Sequence, residues 1–179
     1  MLVAVAGINM LAAFLLAPAV KEAMDGVPGA LTLMLWMAAL ASPLVASLKG
    51  LLFAAIAWCT ATLAGSPVPL RRGFLVGILG EAIIACSAVF TGMVIRVRGA
   101  VHSPADLVVP QGLDLFMEIG GGVPLILVEH TGIFYILWAA AAYLGLRKLC
   151  QMGRWPAVAT VGGYWLVLVA MGIIRQASL

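Results

Sequence analysis

Residues 43–63 read PLVASLKGLLFAAIAWCTATL, residues 64–73 read AGSPVPLRRG, and residues 74–95 read FLVGILGEAIIACSAVFTGMVI. A helix needs about 20 apolar residues to cross a hydrocarbon core of roughly 30 Å. Both apolar runs reach that length, and the break between them contains prolines, glycines and two adjacent arginines. This stretch therefore predicts two membrane-spanning helices that are joined by a turn.

The same reading along the chain predicts five spans. They lie near residues 2–20, 43–63, 74–95, 124–146 and 155–174. Residues 29–41 are also apolar but can only half-cross a bilayer, so we expect an interfacial or re-entrant segment there, with a sixth span as the alternative. We expect the first span to be retained rather than cleaved as a signal peptide, because it has no basic residues before it and Pro18 lies at the cleavage point. The predicted fold class is an all-α, polytopic integral membrane helix bundle in a single transmembrane domain, residues 1–179, with five transmembrane helices plus one or two short interfacial helices.

The composition agrees with a bilayer protein. Only 9% of the residues are charged, against roughly 25% in soluble domains, while 64% are hydrophobic and the mean hydropathy is +1.16. The net charge of +3 comes from basic residues that stand in small groups at the ends of the spans. That pattern anchors spans at anionic leaflets, so we expect the lipid bilayer, and no nucleic acid, as a partner.

The basic residues also predict the orientation. Two breaks carry five of the ten, Arg71 and Arg72 after the second span, and Arg147, Lys148 and Arg154 after the fourth, while Arg96, Arg98 and Arg175 argue weakly for the opposite orientation. Short loops with Lys and Arg favour the cytoplasmic side, and a five-span topology puts both breaks on one face. We expect a cytoplasmic N-terminus and an outside C-terminus, and the compact loops favour a bacterial inner membrane.

The sequence carries no recognisable catalytic or metal-binding pattern. It has no Gly-rich phosphate loop, no G-x-S-x-G elbow and no H-E-x-x-H pattern. Cys59, Cys86 and Cys150 lack paired spacing, and His102 and His130 lack partners at metal-ligand spacing. We therefore expect no catalytic residue, no cofactor and no metal site.

Four polar residues fall inside the predicted spans, namely Lys49, Glu81, Glu129 and His130. Lys49 and Glu129 lie about six residues into their spans from the same side, so they can reach each other. The alternative is that Lys49 snorkels to the interface and Glu129 marks the start of its span. Glu81, about seven residues into the third span, either marks a proton or ion path or is a protonated carboxyl that hydrogen-bonds to a neighbouring helix. The lack of an internal repeat favours the second reading of Glu81.

Small residues recur at helical spacing in two spans. They are Ala46, Gly50 and Ala54 in the second, and Gly73 and Gly77 at the start of the third. Such stripes let helix backbones approach closely, and we expect them to serve the internal bundle more than a partner.

Residues 111–122 contain a short amphipathic pattern. Leu113, Phe116 and Met117 fall on one side of a helix, with Asp114 and Glu118 beside them. This predicts an amphipathic helix on the outer membrane surface, with a packed outer loop as an equal alternative.

Several motifs resemble the bacterial branch of the Yip-domain family. The first is the stretch from Ser42 through Lys49-Gly50, followed by the Gly65 to Gly73 break with its basic pair. Gly132 to Trp138, GIFYILW, is similar to that family's aromatic F-x-x-x-W passage into its fourth helix. Tyr143 to Leu146, YLGL, is similar to the leucine-glycine exit that follows.

A last helix that opens near Trp155 and contains Tyr164-Trp165 completes the resemblance, which covers roughly residues 42–174. The resemblance implies a five-span protein with a cytoplasmic N-terminus and no established catalytic residues. Eukaryotic relatives bind small GTPases in vesicle trafficking, and some bacterial relatives are accessory subunits of ABC-type efflux machinery. Because the first span begins at Leu2, without a long polar arm, we do not expect GTPase recruitment through such an arm.

The leading functional hypothesis is a non-enzymatic accessory or scaffolding subunit that packs against a larger membrane complex, such as an ABC-type exporter. The alternative is a small homo-oligomeric transporter or channel that uses Glu81 or Lys49 in a wet cavity. A lipid-active membrane enzyme has the least support, since the sequence has no acidic or nucleophilic cluster.

Overall fold

The computed structural model describes residues 1–23, 29–99, 127 and 130–177, and every regular element in that part of the chain is an α-helix. The helices are α1 (Leu2–Ala23), α2 (Ala30–Leu63), α3 (Leu70–Arg98), α4 (Ile133–Lys148) and α5 (Arg154–Ala177). The predicted all-α class is confirmed. The proposed outer amphipathic helix, residues 111–122 with Leu113, Phe116 and Met117, lies outside the described residues.

Three helices are long and apolar enough to cross a membrane. They are Leu40–Leu63 within α2, Leu70–Arg98 and Arg154–Ile174. The chain is therefore an integral membrane protein. The apolar part of α1, Leu2–Pro18, is shorter, and α4 has 16 residues, so neither is a spanning helix by length and composition within the described residues. Part of the predicted fourth span, before α4, lies outside them.

Helix α2 has 34 residues and continues through Pro43, so most of the segment 29–41 is continuous with the second span instead of forming a separate helix. Proline is tolerated inside membrane helices because neighbouring groups can satisfy the backbone that it leaves unpaired. The Ser47 hydroxyl donates to the Pro43 carbonyl oxygen at 2.7 Å, one turn away. The interfacial or re-entrant placement of residues 29–41 stays a prediction.

A tight turn joins α2 to α3. Gly65 has a φ of 70°, the left-handed conformation that glycine adopts without a steric penalty. The amides of Gly65 and Ser66 donate to the carbonyls of Thr62 and Ala61, at 3.0 and 2.9 Å, which is the hydrogen-bond pattern of a Schellman cap. Helix α3 then begins at Leu70, four residues earlier than predicted.

The chain divides into two compact units. Unit 1 comprises Met1–Leu48 and Glu81–Val109, and unit 2 comprises Lys49–Gly80 and Pro110–Leu179. In unit 1, α1 approaches the second half of α3 at Gly92, where an added Cβ would lie 2.9 Å from the Leu15 Cβ and 3.3 Å from the Ala12 carbonyl oxygen. The single transmembrane domain, residues 1–179, stays a prediction.

Candidate functional site

Unit 2 holds a close backbone contact between α2 and α3, formed by four of the small residues singled out in the sequence. A Cβ added to Gly77 would lie 3.0 Å from the Gly50 Cα and 3.1 Å from the Gly50 carbonyl oxygen. One turn further along, a Cβ on Gly73 would lie 3.2 Å from the Ala54 Cα. These glycines therefore serve packing inside unit 2. Ala46, the fifth residue of the stripes, lies in unit 1 and is buried.

An aromatic cluster fills the core of unit 2, and the sequence analysis did not predict it. Phe53 of α2, Trp138 of α4 and Tyr164 of α5 are each 1% exposed. The Phe53 ring lies edge-on to Tyr164 and to Trp138, with centroids 5.2 and 6.4 Å apart, and Trp138 lies 5.5 Å from Tyr164. Edge-to-face pairs in this range are favourable beyond their buried area. The cluster joins three helices.

Gly80 of α3 makes room for this cluster. A Cβ at Gly80 would lie 2.6 Å from the Trp138 Cδ1 and would also meet the Trp138 Nε1. Because Trp138 is buried, its ring could move away from such a Cβ only by displacing its neighbours. The indole of α4 thus packs directly on the backbone of α3.

A hydroxyl pair joins α2 to α5. Thr60 Oγ1 and Thr160 Oγ1 lie 2.6 Å apart, and Thr160 is fully buried. One hydroxyl donates to the other, and the accepting hydroxyl donates to a carbonyl of its own helix, Ile56 for Thr60 at 3.0 Å or Pro156 for Thr160 at 2.8 Å. The two side chains are therefore satisfied as a structural contact. Threonines at such positions hydrogen-bond across membrane helices.

One end of unit 2 gathers the two basic breaks. Arg72 Nη1, in the first turn of α3, donates to the Leu149 carbonyl oxygen at 3.2 Å, at the end of α4. Arg147 Nη1 donates to the Met152 carbonyl oxygen at 2.8 Å within the loop before α5. We call this surface the basic end; it comprises Arg71, Arg72, Arg147, Lys148 and Arg154, all of them exposed. The contact from Arg72 shows that the breaks after the second and fourth predicted spans lie at the same end.

Cys150 lies buried in the loop of the basic end. Burial raises the pKa of its thiol above the usual value, and the nearby Arg72 guanidinium opposes that rise. The thiol is therefore protonated and unreactive near neutral pH. Cys59 and Cys86 are exposed, and all three cysteines are free.

The two charged residues of the transport hypothesis lie deeper along their helices than predicted. Glu81 follows Leu70, the start of α3, by eleven residues, which is about 16 Å at 1.5 Å per residue. Lys49 follows Leu40, the start of the spanning part of α2, by nine residues, or about 14 Å. Glu81 belongs to unit 1 and is 8% exposed, while Lys49 belongs to unit 2 and is half-buried. Both residues interact with other groups of the chain.

The remaining polar candidates are only partly described. The His130 carbonyl oxygen accepts a bond from Trp165 Nε1 at 2.9 Å, and its ring lies 4.8 Å from the Tyr135 ring. Glu129 lies outside the described residues, so its contact with Lys49 stays a prediction. Among the described side chains, no group of three His, Cys, Asp or Glu is placed to hold a metal ion.

Comparison of the chain with protein-family models, with curated proteins and with solved structures gave no match.

Proposed function

We propose that the chain is a non-enzymatic, Yip-like integral membrane protein that acts as an accessory or scaffolding subunit and packs against a larger membrane complex, such as an ABC-type exporter. The observation that carries this proposal is an apolar face of α5 that no other described residue covers. Val158 and Leu166 are exposed on that face, and Gly162 lies between them. A Cβ added at Gly162 would meet nothing within 4 Å.

The internal use of the other glycines supports this assignment. Gly50, Gly73 and Gly77 are occupied by the contact between α2 and α3, so they cannot also receive a partner helix. Gly162 is a helical glycine of unit 2 that has open space beside it among the described residues. Small residues on an exposed helix face let a second helix approach closely in lipid, where packing rather than the hydrophobic effect drives association.

We further propose the five-span topology with a cytoplasmic N-terminus, in a bacterial inner membrane. The bond from Arg72 to Leu149 supports this topology. Both basic breaks lie at one end of unit 2, as they must if two spans separate them. Short basic loops favour the cytoplasmic side. The apolar stretch Leu2–Pro18 of α1 would supply the first span, and the predicted fourth span, to which α4 belongs, would supply the fourth.

The experiment is purification of the tagged chain in nanodiscs from cells at native expression, followed by mass spectrometry of proteins that elute in a fixed ratio. Gly162→Leu should lower the partner ratio about tenfold, the effect of losing about 1.4 kcal/mol of binding. The matched control is Gly7→Leu, since a Cβ at this helical glycine in α1 also meets nothing within 4 Å. Equal losses for the two variants, or no partner in a fixed ratio, would contradict the accessory role.

The second proposed function is a homo-oligomeric transporter or channel, and the buried position of Glu81 far along α3 favours it. An ionisable residue deep in a span usually serves a pathway, because its burial in lipid is costly. Glu81→Gln and Lys49→Met should then abolish flux in proteoliposomes while the oligomer stays assembled. A stoichiometric larger partner, with flux unchanged in both variants, would exclude this function.

A further inference from the structure

We propose that the basic end binds the phosphate headgroup of an anionic phospholipid. Five of the chain's ten Lys and Arg residues belong to this surface. This lipid contact of unit 2 does not require that the chain has a protein partner.

The fold concentrates these charges. The bond from Arg72 Nη1 to the Leu149 carbonyl oxygen brings the start of α3 against the end of α4, and the loop Leu149–Gly153 then leads directly to Arg154. Arg72 and Arg147 use one nitrogen each to hold backbone carbonyls of this loop. Each guanidinium has five N–H donors, so both retain donors for a phosphate. Arg71, Lys148 and Arg154 are exposed beside them.

Acidic side chains do not balance this charge in the described segments that form the basic end. Residues 64–73 and 146–155 contain no Asp or Glu. Arg71 and Arg154 also lie in the first turns of α3 and α5, where the helix dipole adds partial positive charge and disfavours a cation. A diffusible or lipid-borne anion would relieve this repulsion.

The apolar neighbours of the cations favour a lipid as the source of that anion. Trp155 is 79% exposed next to Arg154, and Leu70 and Leu149 are each 54% exposed next to Arg71 and Lys148. Cations that alternate with exposed Trp and Leu at the ends of spans match the boundary between headgroups and acyl chains. The spanning helices Leu70–Arg98 and Arg154–Ile174 both begin at this surface. A phospholipid can meet the arginines with its phosphate and the apolar side chains with its acyl chains.

The test measures retained lipid by native mass spectrometry after reconstitution with equal amounts of phosphatidylglycerol and phosphatidylcholine. The wild-type chain should retain phosphatidylglycerol preferentially. The double variant R71Q/R154Q should bind it about 25-fold more weakly, since each cation near an anionic surface contributes about fivefold. R71K/R154K should restore retention, which distinguishes lost charge from lost folding.

The matched control is R96Q/R98Q, which removes the same charge from the last turn of α3, at the opposite end of that helix. It should keep the wild-type retention. Equal loss in both double variants would mean that net charge alone attracts the lipid, and would overturn the site. Displacement of the lipid by millimolar inorganic phosphate would also overturn it, because the surface would then bind a free anion. Unchanged retention in R71Q/R154Q would overturn it in favour of another occupant, such as an acidic protein segment.

Discussion

Replacement of Gly77 by Ala tests the closest backbone approach between α2 and α3. The added Cβ would lie 3.0 Å from the Gly50 Cα, 3.1 Å from the Gly50 carbonyl oxygen and 3.2 Å from the Phe53 Cβ. Carbon atoms in optimal contact lie about 3.5–4.0 Å apart, so the two helices must separate by several tenths of an ångström. The nearest atoms belong to backbone and cannot rotate away. We therefore expect overpacking to lower the free energy of unfolding by about 1–3 kcal/mol.

The intrinsic preference of helices for Ala over Gly opposes this loss by up to about 1 kcal/mol. The control Gly162→Ala separates the two effects, because its Cβ meets nothing within 4 Å and only the helix preference changes. The difference in unfolding free energy between Gly77→Ala and Gly162→Ala should therefore be about 1–3 kcal/mol. It is measured by denaturing-detergent titration of both purified variants in mixed micelles, with tryptophan fluorescence as the signal.

Gly50→Ala tests whether the kind of atom that the added Cβ meets decides the loss of stability. Its Cβ would approach the Ile78 Cδ1 at 2.7 Å and the Phe74 Cε2 at 3.1 Å, both of which are outer atoms of side chains. These atoms can rotate, so this variant should be less destabilised than Gly77→Ala. The packing argument is refuted if Gly77→Ala is as stable as Gly162→Ala.

Three further results are expected from the same titration. Trp138→Ala should lower the unfolding free energy by about 3 kcal/mol because it opens a cavity beside Phe53 and Tyr164, whereas the exposed Trp155→Ala should change it little. Thr160→Val should cost only about 0.5–1 kcal/mol, because Thr60 keeps its bonds to its own helix. Burial raises the pKa of Cys150, so its contribution to stability should be complete below the unfolded thiol pKa of about 8.5 and should be lost as pH rises through the folded pKa. Cys150→Ala should remove that alkaline dependence.

Composition and periodicity were sufficient to predict the helical class and three of the spans, because the bilayer allows few solutions for an apolar chain. The ends of the helices were harder to predict from the sequence. The apolar runs predict that the second span begins at Pro43 and the third at Phe74, after the two arginines. In the structure Pro43 lies inside α2, and Arg71 and Arg72 lie in the first turn of α3.

Within the candidate site, the small-residue stripes of α2 and α3 could be found from sequence because they repeat with the period of a helix. The cluster of Phe53, Trp138 and Tyr164 could not, since its members are 85 and 26 residues apart along the chain and belong to three helices. Gly80 offered one signal that was missed. A glycine directly before Glu81, inside a long apolar run, indicates a close approach by another group. In the structure that group is the Trp138 indole.

The division of the glycines between internal and open positions limits where a second protein can pack closely on unit 2. Gly50, Gly77 and Gly80 each meet a neighbouring helix, so a larger residue at any of them would disturb the bundle before it affected a partner. A loss of association in such variants would therefore say nothing about an interface. Gly162 has open space, and a larger side chain there leaves the core of Phe53, Trp138 and Tyr164 unchanged. Association that depends on Gly162 but not on Gly7 would consequently assign the partner contact to α5.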